Sequence, residues 1–204
     1  MCLTLRTWEV ESKTRCSSTV TDQVIGIDGG RGVFARVNGK EETPIRYVRE
    51  IRISAPPEVV FRFHESAGAL RHLIPPWEKM VVAESSGSLL PGSKVVLRGR
   101  LLGFVPIRWV AVHTEYDPPH MFADRQESGP FAYWYHRHYL LDDGHGGTIL
   151  RDEVKYRPPF GFVGRWLAGW FIRRKLDRMF AYRHETTVRL IESGEWEIER
   201  PRTC

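Results

Sequence analysis

The sequence predicts an α+β fold, in which a curved seven-stranded antiparallel sheet and two short helices are completed by one long C-terminal helix over an internal cavity. Three observations lead to this prediction. An alternating strand comes first, six further β-prone segments follow at hairpin spacing, and about 30 residues near the C-terminus run without internal proline and with helical periodicity. The apolar face of a sheet must be covered, and the last helix is the only predicted element long enough to cover it. A helix held over a curved sheet commonly leaves room for a ligand.

The first strand and the two short helices are predicted from Ile45 onward. The segment IRYVREIRISA alternates apolar and polar residues, as a half-buried strand does. PPEVVFRFHE follows as a short helix, because Pro57 suits a first helical turn, where its missing N–H costs nothing. AGALRHLI is predicted as a second short helix that ends at the next two prolines, since a residue before proline is pushed out of the α region.

Six strands are predicted next. Each segment is rich in β-branched or aromatic residues, and Gly, Pro and Asp turns separate one from the next. The segments are KMVVAES, SKVVLRGRLL, PIRWVAVHTEYD, HMFADRQES, FAYWYHRHYLL and TILRDEVKY. Consecutive strands at this spacing pair with their neighbours, so an antiparallel meander is expected.

The last helix is predicted from Gly161 and would span about 45 Å at the usual rise per residue. Six residues fall near one face of it: Trp166, Trp170, Arg173, Leu176, Phe180 and Thr187. Two interpretations of its tryptophans and basic residues stay open. They pack against the sheet, which the covering role favours, or they make transient contact with a membrane surface, as interfacial helices do.

Composition and charge exclude several classes of function for this protein. The 204 residues include 30 Lys and Arg against 25 Asp and Glu, a net charge of +5 without a basic tract or a reader motif, so no nucleic-acid partner is expected. Cys2, Cys16 and Cys204 lack the paired spacing of a zinc or redox site. Neither a signal-peptide core nor a membrane-length apolar run is found, so the expected location is cytoplasmic.

Three regions are expected along the chain. Residues 1–44 are rich in Ser, Thr, Gly and charge and read as a divergent extension, either a loose hairpin or a poorly ordered segment. Residues 45–192 form the predicted ligand-binding domain, and residues 193–204 form a C-terminal tail.

Residues 46–191 resemble a known superfamily. The match is carried by the segments RISAPPEVVFRFHE, LIPPWEKM, FADRQESGPFAYWYHRHY and TILRDEVKYRPPFG. Together with the element order, these segments resemble the START-like superfamily, also called SRPBCC, and most of all its polyketide cyclase and dehydratase subgroup. The resemblance implies a helix-grip fold with a deep hydrophobic cavity. It also implies a hydrophobic small-molecule partner, such as a lipid or a polyketide, and no cofactor.

The motifs of that subgroup match individual positions of this chain. They are Gly129 to Phe131, Trp134, His136, His138, Asp152 to Val154, Tyr156, Pro158, Pro159 and Gly161. As evidence about the ligand these matches are weak, because members of one fold exchange ligands and functions freely.

Strand alternation predicts which side chains face the cavity. Trp134, His136 and His138 share one side of their strand, while Arg137 marks the other side as the wetter one. The same alternation turns Phe122, Asp124 and Gln126 inward on the preceding strand, and Asp152 and Tyr156 inward on the following one. The predicted ligand-binding residues are Phe122, Asp124, Gln126, Trp134, His136, His138, Trp109 and Tyr156.

Three interpretations of the paired histidines stay open. A metal site could be completed by His113 with Glu115 on another strand, but it lacks a firm third ligand, so no metal is expected. An acid/base site would use His136 or His138, oriented by Asp124 or Asp152, so that His136, His138 and Asp152 are the catalytic candidates. The favoured interpretation is a buried hydrogen-bond network that includes Gln126 and orients a ligand.

One further histidine is given a structural role. His64 is predicted as an exposed residue at the end of the first short helix. A phosphate-binding loop, a nucleophile elbow and a Cys/His dyad are all missing from the sequence, so nucleotide-dependent or covalent chemistry is not expected.

Overall fold

Seven strands form one antiparallel sheet in the computed structural model, which describes residues 43–101, 103–159 and 161–198. The strands are β1 (Ile45–Ile53), β2 (Met80–Ser85), β3 (Lys94–Leu101), β4 (Val105–Asp117), β5 (Met121–Ser128), β6 (Tyr133–Asp142) and β7 (Thr148–Arg157). Their order across the sheet is β1-β7-β6-β5-β4-β3-β2. Strands β2 to β7 form a meander, and β1 pairs with β7 at the edge of the sheet. The predicted sheet is confirmed.

The helices are α1 (Pro57–Glu65), α2 (Ala69–His72), α3 (Gly161–Ser193) and α4 (Glu195–Ile198). The chain contacts separate residues 1–39 from residues 40–204, and every described residue lies in the second unit. The predicted extension at residues 1–44 lies outside the described residues up to position 42, as do the side chains of residues 161–168.

Two clusters of apolar side chains form the core. One joins the sheet to α3 through Tyr47, Trp134, Val154, Leu176 and Phe180. The other gathers α1 and the last turns of α3 over the opposite end of the sheet, with completely buried residues such as Ile53, Val60 and Phe63. The long helix therefore covers the sheet, as predicted.

The segment after residue 192, which we expected to be a tail, contributes to the core. Gly194 takes a left-handed backbone conformation with φ of 72°, which suits glycine and ends α3. The short α4 follows, and its Trp196 is buried with its ring edge-on to Phe63 at 5.8 Å. This apolar contact holds α4 against α1.

The predicted face of α3 is wrong at Trp170, whose exposed fraction is 74%. Leu176 and Phe180 are buried as predicted. Trp170 lies six residues before Leu176 and therefore about 120° around the helix from it. The side of α3 that packs on the sheet is too narrow to include both Trp170 and Leu176.

Within the described residues, no helix is long and apolar enough to cross a membrane.

Candidate functional site

A cluster of buried imidazoles and carboxylates lies on the face of the sheet that α1 and α3 cover. Its centre is on β6, where His136 and His138 are two residues apart and so share a face. Strand pairing supplies the neighbours, because Asp124 of β5 lies opposite His136 and Asp152 of β7 lies opposite His138. Directly opposed residues in an antiparallel sheet have Cβ atoms about 5 Å apart, so these side chains must interact.

Asp152 lies at the centre of the cluster and contacts three of its imidazoles. Its Oδ1 accepts from His136 Nε2 at 2.7 Å and lies 2.7 Å from His138 Nδ1. Its Oδ2 accepts from His184 Nε2 at 2.5 Å. The Asp152 side chain is 4% exposed, so one buried carboxylate holds three imidazoles. Such a network fixes the ring orientations and the tautomers of the histidines.

His184 was missed by the sequence analysis. It lies on α3, one turn after Phe180 and two turns after Leu176, and its side chain is 1% exposed. The i, i+4 spacing from Phe180 was a signal that could have placed it in the buried stripe of the helix. Its Nδ1 is buried and has no hydrogen-bond partner among the described residues.

The accessible end of the cluster consists of Asp124 and His138. Their side chains are 15% and 14% exposed, whereas that of His136 is 4% exposed. Asp124 Oδ2 lies 3.6 Å from His136 Nδ1 and 3.8 Å from His138 Nε2, which is too long for a direct hydrogen bond. The network is therefore buried around Asp152 and accessible to solvent around Asp124.

Aromatic rings enclose the histidines. Phe122 stacks on His138 with ring centroids 4.1 Å apart and an interplanar angle of 13°. Phe180 of α3 meets His136 edge-on at 5.2 Å. These contacts exclude water from one side of each imidazole and so strengthen the electrostatic interactions with the carboxylates.

The prediction for His64 is wrong. Its Nδ1 lies 2.8 Å from the carbonyl oxygen of Val60, and its ring packs against Phe122 at 5.4 Å and towards His138 at 5.9 Å. Burial, and then the charge of His138, lower the pKa of His64 to about 4. The i, i+4 spacing from the fully buried Val60 places His64 on the core-facing side of α1 rather than at an exposed end.

Burial and charge shift the pKa values of the cluster in opposite directions. Burial would raise the pKa of Asp152, but the charge of His138 and hydrogen bonds from the three histidines hold it well below its ordinary value. Burial would lower the pKa of His138, but Asp152 and Asp124 outweigh burial and raise it to about 8. Burial and the charge of His138 lower the pKa of His136. The positive charge is therefore held on His138, the more exposed of the two.

Asp124 behaves like Asp152. Burial would raise its pKa, but the neighbouring His138 and His136 outweigh burial and lower it. Both carboxylates of the cluster are thus held in the ionised form.

Gln126 does not join the network that we predicted for it. Its amide donates to the carbonyl oxygen of Phe131 at 2.8 Å and accepts from the N–H of Phe131 at 3.3 Å. These two hydrogen bonds bridge the turn between β5 and β6. The side chain of Gln126 therefore shapes the hairpin instead of orienting the histidines.

The predicted aromatic residues form the wall beside the cluster. Trp134 is buried, and its ring lies 5.1 Å from Trp109, 4.9 Å from Phe131 and 6.3 Å from both Tyr156 and His136. A pocket of about 350 Å³ opens at the β5–β6 hairpin, and its lining combines Phe131 and Trp134 with side chains of the other sheet face, Arg125, Glu127, Tyr133 and Tyr135. Ligand pockets start near this volume. A series of ring contacts therefore runs from Phe131 at the hairpin through Trp134 to His136.

His113 and Glu115, which the metal alternative would have used, do not lie on the same face of the sheet. His113 is buried and pairs with Asp124, but a bulge follows it, and Glu115 pairs with Ala123 on the opposite side of the sheet. Glu115 there accepts from Arg137 at 2.7 Å and from the hydroxyl of Tyr135. Burial lowers the pKa of His113, whose Nδ1 lacks a partner among residues 43–101, 103–159 and 161–198.

The structure brings together a different set of candidate ligands. Asp124, His136 and His138 each direct one ligand atom to a common region, with all three atoms within 4.8 Å of one another. Asp124 was predicted from strand alternation to face inward, but not to bind a metal.

Comparison with known proteins identifies a family and relates the fold to solved structures. A family described as a domain of unknown function, DUF8410, matches residues 51–191. No match was found among the curated proteins.

Three solved structures have the same fold. A START superfamily protein from Mycobacterium smegmatis is 10% identical, with a TM-score of 0.55 over 72% of this chain and 97% of that one. Zhui aromatase/cyclase from Streptomyces sp. R1128 is 18% identical, with a TM-score of 0.51 over 75% of this chain and 93% of that one. Norcoclaurine synthase from Thalictrum flavum, in complex with dopamine and hydroxybenzaldehyde, is 13% identical, with a TM-score of 0.55 over 79% and 98%.

At these identities the similarity concerns the fold, and function must be argued from the site. The resemblance to the START-like superfamily is confirmed at that level. The family match covers more than half of the chain, including every strand of the site. The chain therefore belongs to the DUF8410 family and has the helix-grip fold of START-like proteins.

Proposed function

We propose that this protein binds a small molecule with an apolar body and one polar end, on the sheet face that α3 covers. The fold is a general hydrophobic ligand-binding fold. The observation that carries the proposal is the open end of the buried network, where Asp124 and His138 are partly exposed while Asp152 and His184 are closed off. A polar network with one accessible end is suited to hold the polar group of a ligand.

The apolar body of the ligand would lie along the aromatic wall. Phe131, Trp109 and Trp134 form that wall between the pocket at the hairpin and the histidines. Tyr156, which is buried behind Trp134, supports it and is less suited to touch the ligand. Phe122 would contact the polar end, because its ring stacks on His138. Lipids and aromatic polyketides both have this combination of apolar body and oxygen-bearing end.

A second candidate function is a cyclase or dehydratase that uses no cofactor. The supporting observation is the pairing of His138 with Asp152 at 2.7 Å, which orients the imidazole and leaves its Nε2 towards the accessible side. A general acid or base needs this combination of an orienting carboxylate and access to the reacting group. His136 has the same orienting partner but is nearly closed to solvent, so His138 is the stronger candidate.

Replacing His138 with glutamine tests both functions in one experiment. Native mass spectrometry of the purified protein and displacement of anilinonaphthalene sulfonate by fatty acids, steroids and polyphenols would select a ligand. We expect His138→Gln to weaken its binding roughly 10- to 100-fold, the value of a lost charge-assisted hydrogen bond. His145→Gln, at an exposed histidine in the β6–β7 turn, is the control and should leave the affinity unchanged.

The outcomes separate the two functions. If His138→Gln abolishes conversion of the selected ligand but retains its affinity, the enzyme is supported and the pure binding function fails. If His138→Gln and His145→Gln both bind as the unchanged protein does, the polar end of the ligand is not at His138. If no compound displaces the probe and no ligand co-purifies, the binding function itself is contradicted.

Transient membrane contact is a further part of the proposal. Trp170 and Phe171 of α3 are 74% and 48% exposed, and the guanidinium of Arg174 lies 5.8 Å above the ring of Trp170. Arg173 is exposed beside them. Exposed aromatic residues next to cations are typical of segments that dock on anionic membrane surfaces.

Replacing both arginines should weaken binding to vesicles. Each basic residue near an anionic surface contributes about 1 kcal/mol, so Arg173→Ser with Arg174→Ser is expected to lower partitioning to phosphatidylserine-rich vesicles roughly 30-fold. Arg100→Ser with Arg108→Ser makes the same change of net charge at exposed strand positions and should have little effect. Equal loss in both variants would indicate a nonspecific charge effect, and no binding by the unchanged protein would contradict membrane contact.

A further inference from the structure

Three ligand atoms face one another at the open end of the buried network. Asp124 Oδ2 lies 3.6 Å from His136 Nδ1 and 3.8 Å from His138 Nε2, and all three atoms lie within 4.8 Å of one another. The three residues come from two adjacent strands, so the sheet itself fixes their spacing. A site built on paired strands is held more firmly than one built on loops.

The contacts with Asp152 leave one nitrogen of each ring facing Asp124. Asp152 Oδ1 takes the proton-bearing nitrogen of each ring, Nε2 of His136 and Nδ1 of His138. The other nitrogens lie towards Asp124, and a metal ion that displaces the second proton of His138 would meet a lone pair on each of them. Together with a carboxylate oxygen of Asp124, they make a set of three donor atoms that a cation can bind.

The distances favour a metal ion over a shared proton. A direct hydrogen bond between nitrogen and oxygen spans about 2.7 to 3.2 Å, which is shorter than either separation to Asp124. A tetrahedral ion with bonds of about 2.0 to 2.2 Å separates its ligand atoms by roughly 3.3 to 3.6 Å. Both observed separations are closer to the second value, and small side-chain rotations would close the difference.

The surroundings of the three atoms suit a metal ion. Protein histidines that bind metals commonly donate their second nitrogen to a carboxylate, which fixes the ring and raises its basicity. Asp152 does this for both rings at once and is itself held by His184 at 2.5 Å. His113, which is 8% exposed, lies opposite Asp124 on β4 with an Nδ1 that has no partner in the described part of the chain. A further buried imidazole therefore lies on the strand next to Asp124.

We infer that Asp124, His136 and His138 bind a divalent first-row transition-metal ion such as Zn²⁺, with Asp152 as the outer-shell residue that positions both imidazoles. Two nitrogens and one carboxylate oxygen suit these ions better than Mg²⁺ or Ca²⁺, which prefer oxygen ligands alone. Three protein ligands leave at least one position free on the exposed side, where Asp124 and His138 are accessible. An oxygen atom of a small-molecule ligand, such as a carbonyl or phenolate, is the expected occupant of that position.

The inference does not depend on the proposed ligand, because it is tested with metal alone. The full chain would be prepared metal-free with Cys2, Cys16 and Cys204 replaced by serine, which removes thiolates as competing ligands. Calorimetric titration with Zn²⁺ is expected to show one equivalent bound per chain. Titration with Co²⁺ is expected to produce a visible ligand-field absorption that reports nitrogen and oxygen coordination.

Three variants and a control locate the ion. Asp152→Asn is expected to weaken Zn²⁺ binding roughly 10- to 100-fold, as loss of an outer-shell partner does, and to change the Co²⁺ absorption. Asp124→Asn and His138→Gln remove direct ligands and should each weaken binding more than Asp152→Asn does. His145→Gln removes an exposed histidine and should leave the affinity unchanged.

Several results would overturn the inference. It fails if the protein binds no stoichiometric Zn²⁺, or if Asp124→Asn binds Zn²⁺ as tightly as the unchanged protein. It also fails if His145→Gln weakens binding as much as His138→Gln, because the metal would then bind surface histidines. Asp124 is partly exposed and asparagine is nearly its equal in size, so circular dichroism should show a folded variant and keep the comparison valid.

Discussion

Phe180→Ala is expected to lower the free energy of unfolding by about 3 to 5 kcal/mol, the largest effect of any substitution considered. The ring of Phe180 is fully buried between α3 and the sheet. It lies 5.5 Å from the ring of Tyr47 and 5.2 Å from that of His136. Alanine would leave a cavity that close-packed neighbours can fill only in part, so both transfer energy and packing contacts are lost.

The measurement is urea unfolding of the unchanged protein and of Phe180→Ala at neutral pH. Phe171→Ala makes the same chemical change on the same helix, but Phe171 is 48% exposed, so its cost should stay within about 0.5 kcal/mol. Equal effects of the two substitutions would show that α3 does not pack on the sheet through Phe180. Phe180→Ala is also expected to lower the affinity for the selected ligand, because the ring of Phe180 packs against His136 and holds it in place.

Asp152→Asn is expected to lower the free energy of unfolding by about 3 kcal/mol. The two carboxylate oxygens accept from three imidazoles, whereas asparagine offers one carbonyl oxygen and presents an NH₂ group in place of the other. At least one histidine must then lose its partner or change its tautomer in a site that water hardly reaches. The loss of one partner in a buried charged network leaves the others uncompensated.

Unfolding in urea with a chelator present measures this effect without any contribution from bound metal. Asp117→Asn, at an exposed position at the end of β4, is the matched control and should change stability by less than about 0.5 kcal/mol. If Asp152→Asn is as stable as the unchanged protein, the carboxylate does not hold the three histidines together.

Much of the fold could be predicted because it depends on local patterns. Alternation along FAYWYHRHYLL placed Trp134, His136 and His138 on one face, and the structure has them on one face. Alternation also placed Asp152 inward, although nothing in the spacing indicated that it would contact three histidines. The period of a strand is a property of consecutive residues, so no distant contact is needed to read it.

Alternation failed where the strand is irregular. His113 and Glu115 are two residues apart and should share a face, but the bulge between them turns Glu115 to the other side. Bulges depend on how two strands pair, and a single segment does not reveal them. The alternative in which these two residues complete a metal site fails for this reason.

Helical periodicity carried information that the sequence analysis did not use. His64 follows Val60 by one turn and His184 follows Phe180 by one turn, so both lie on the buried side of their helices. The failure at Trp170 has the opposite cause. The predicted buried face of α3 included too many positions, and only contact with the sheet shows where the covered face ends.

By itself the sequence determined the meander, the long covering helix and the side of β6 on which the histidines lie, because each follows from the period of one segment. The tertiary structure alone decided that His184, 32 residues after Asp152, joins His136 and His138 on the same carboxylate. That contact depends on the rotation and position of α3 over the sheet. These are set by the packing of residues such as Leu176 and Phe180, which involves the whole core and no local pattern.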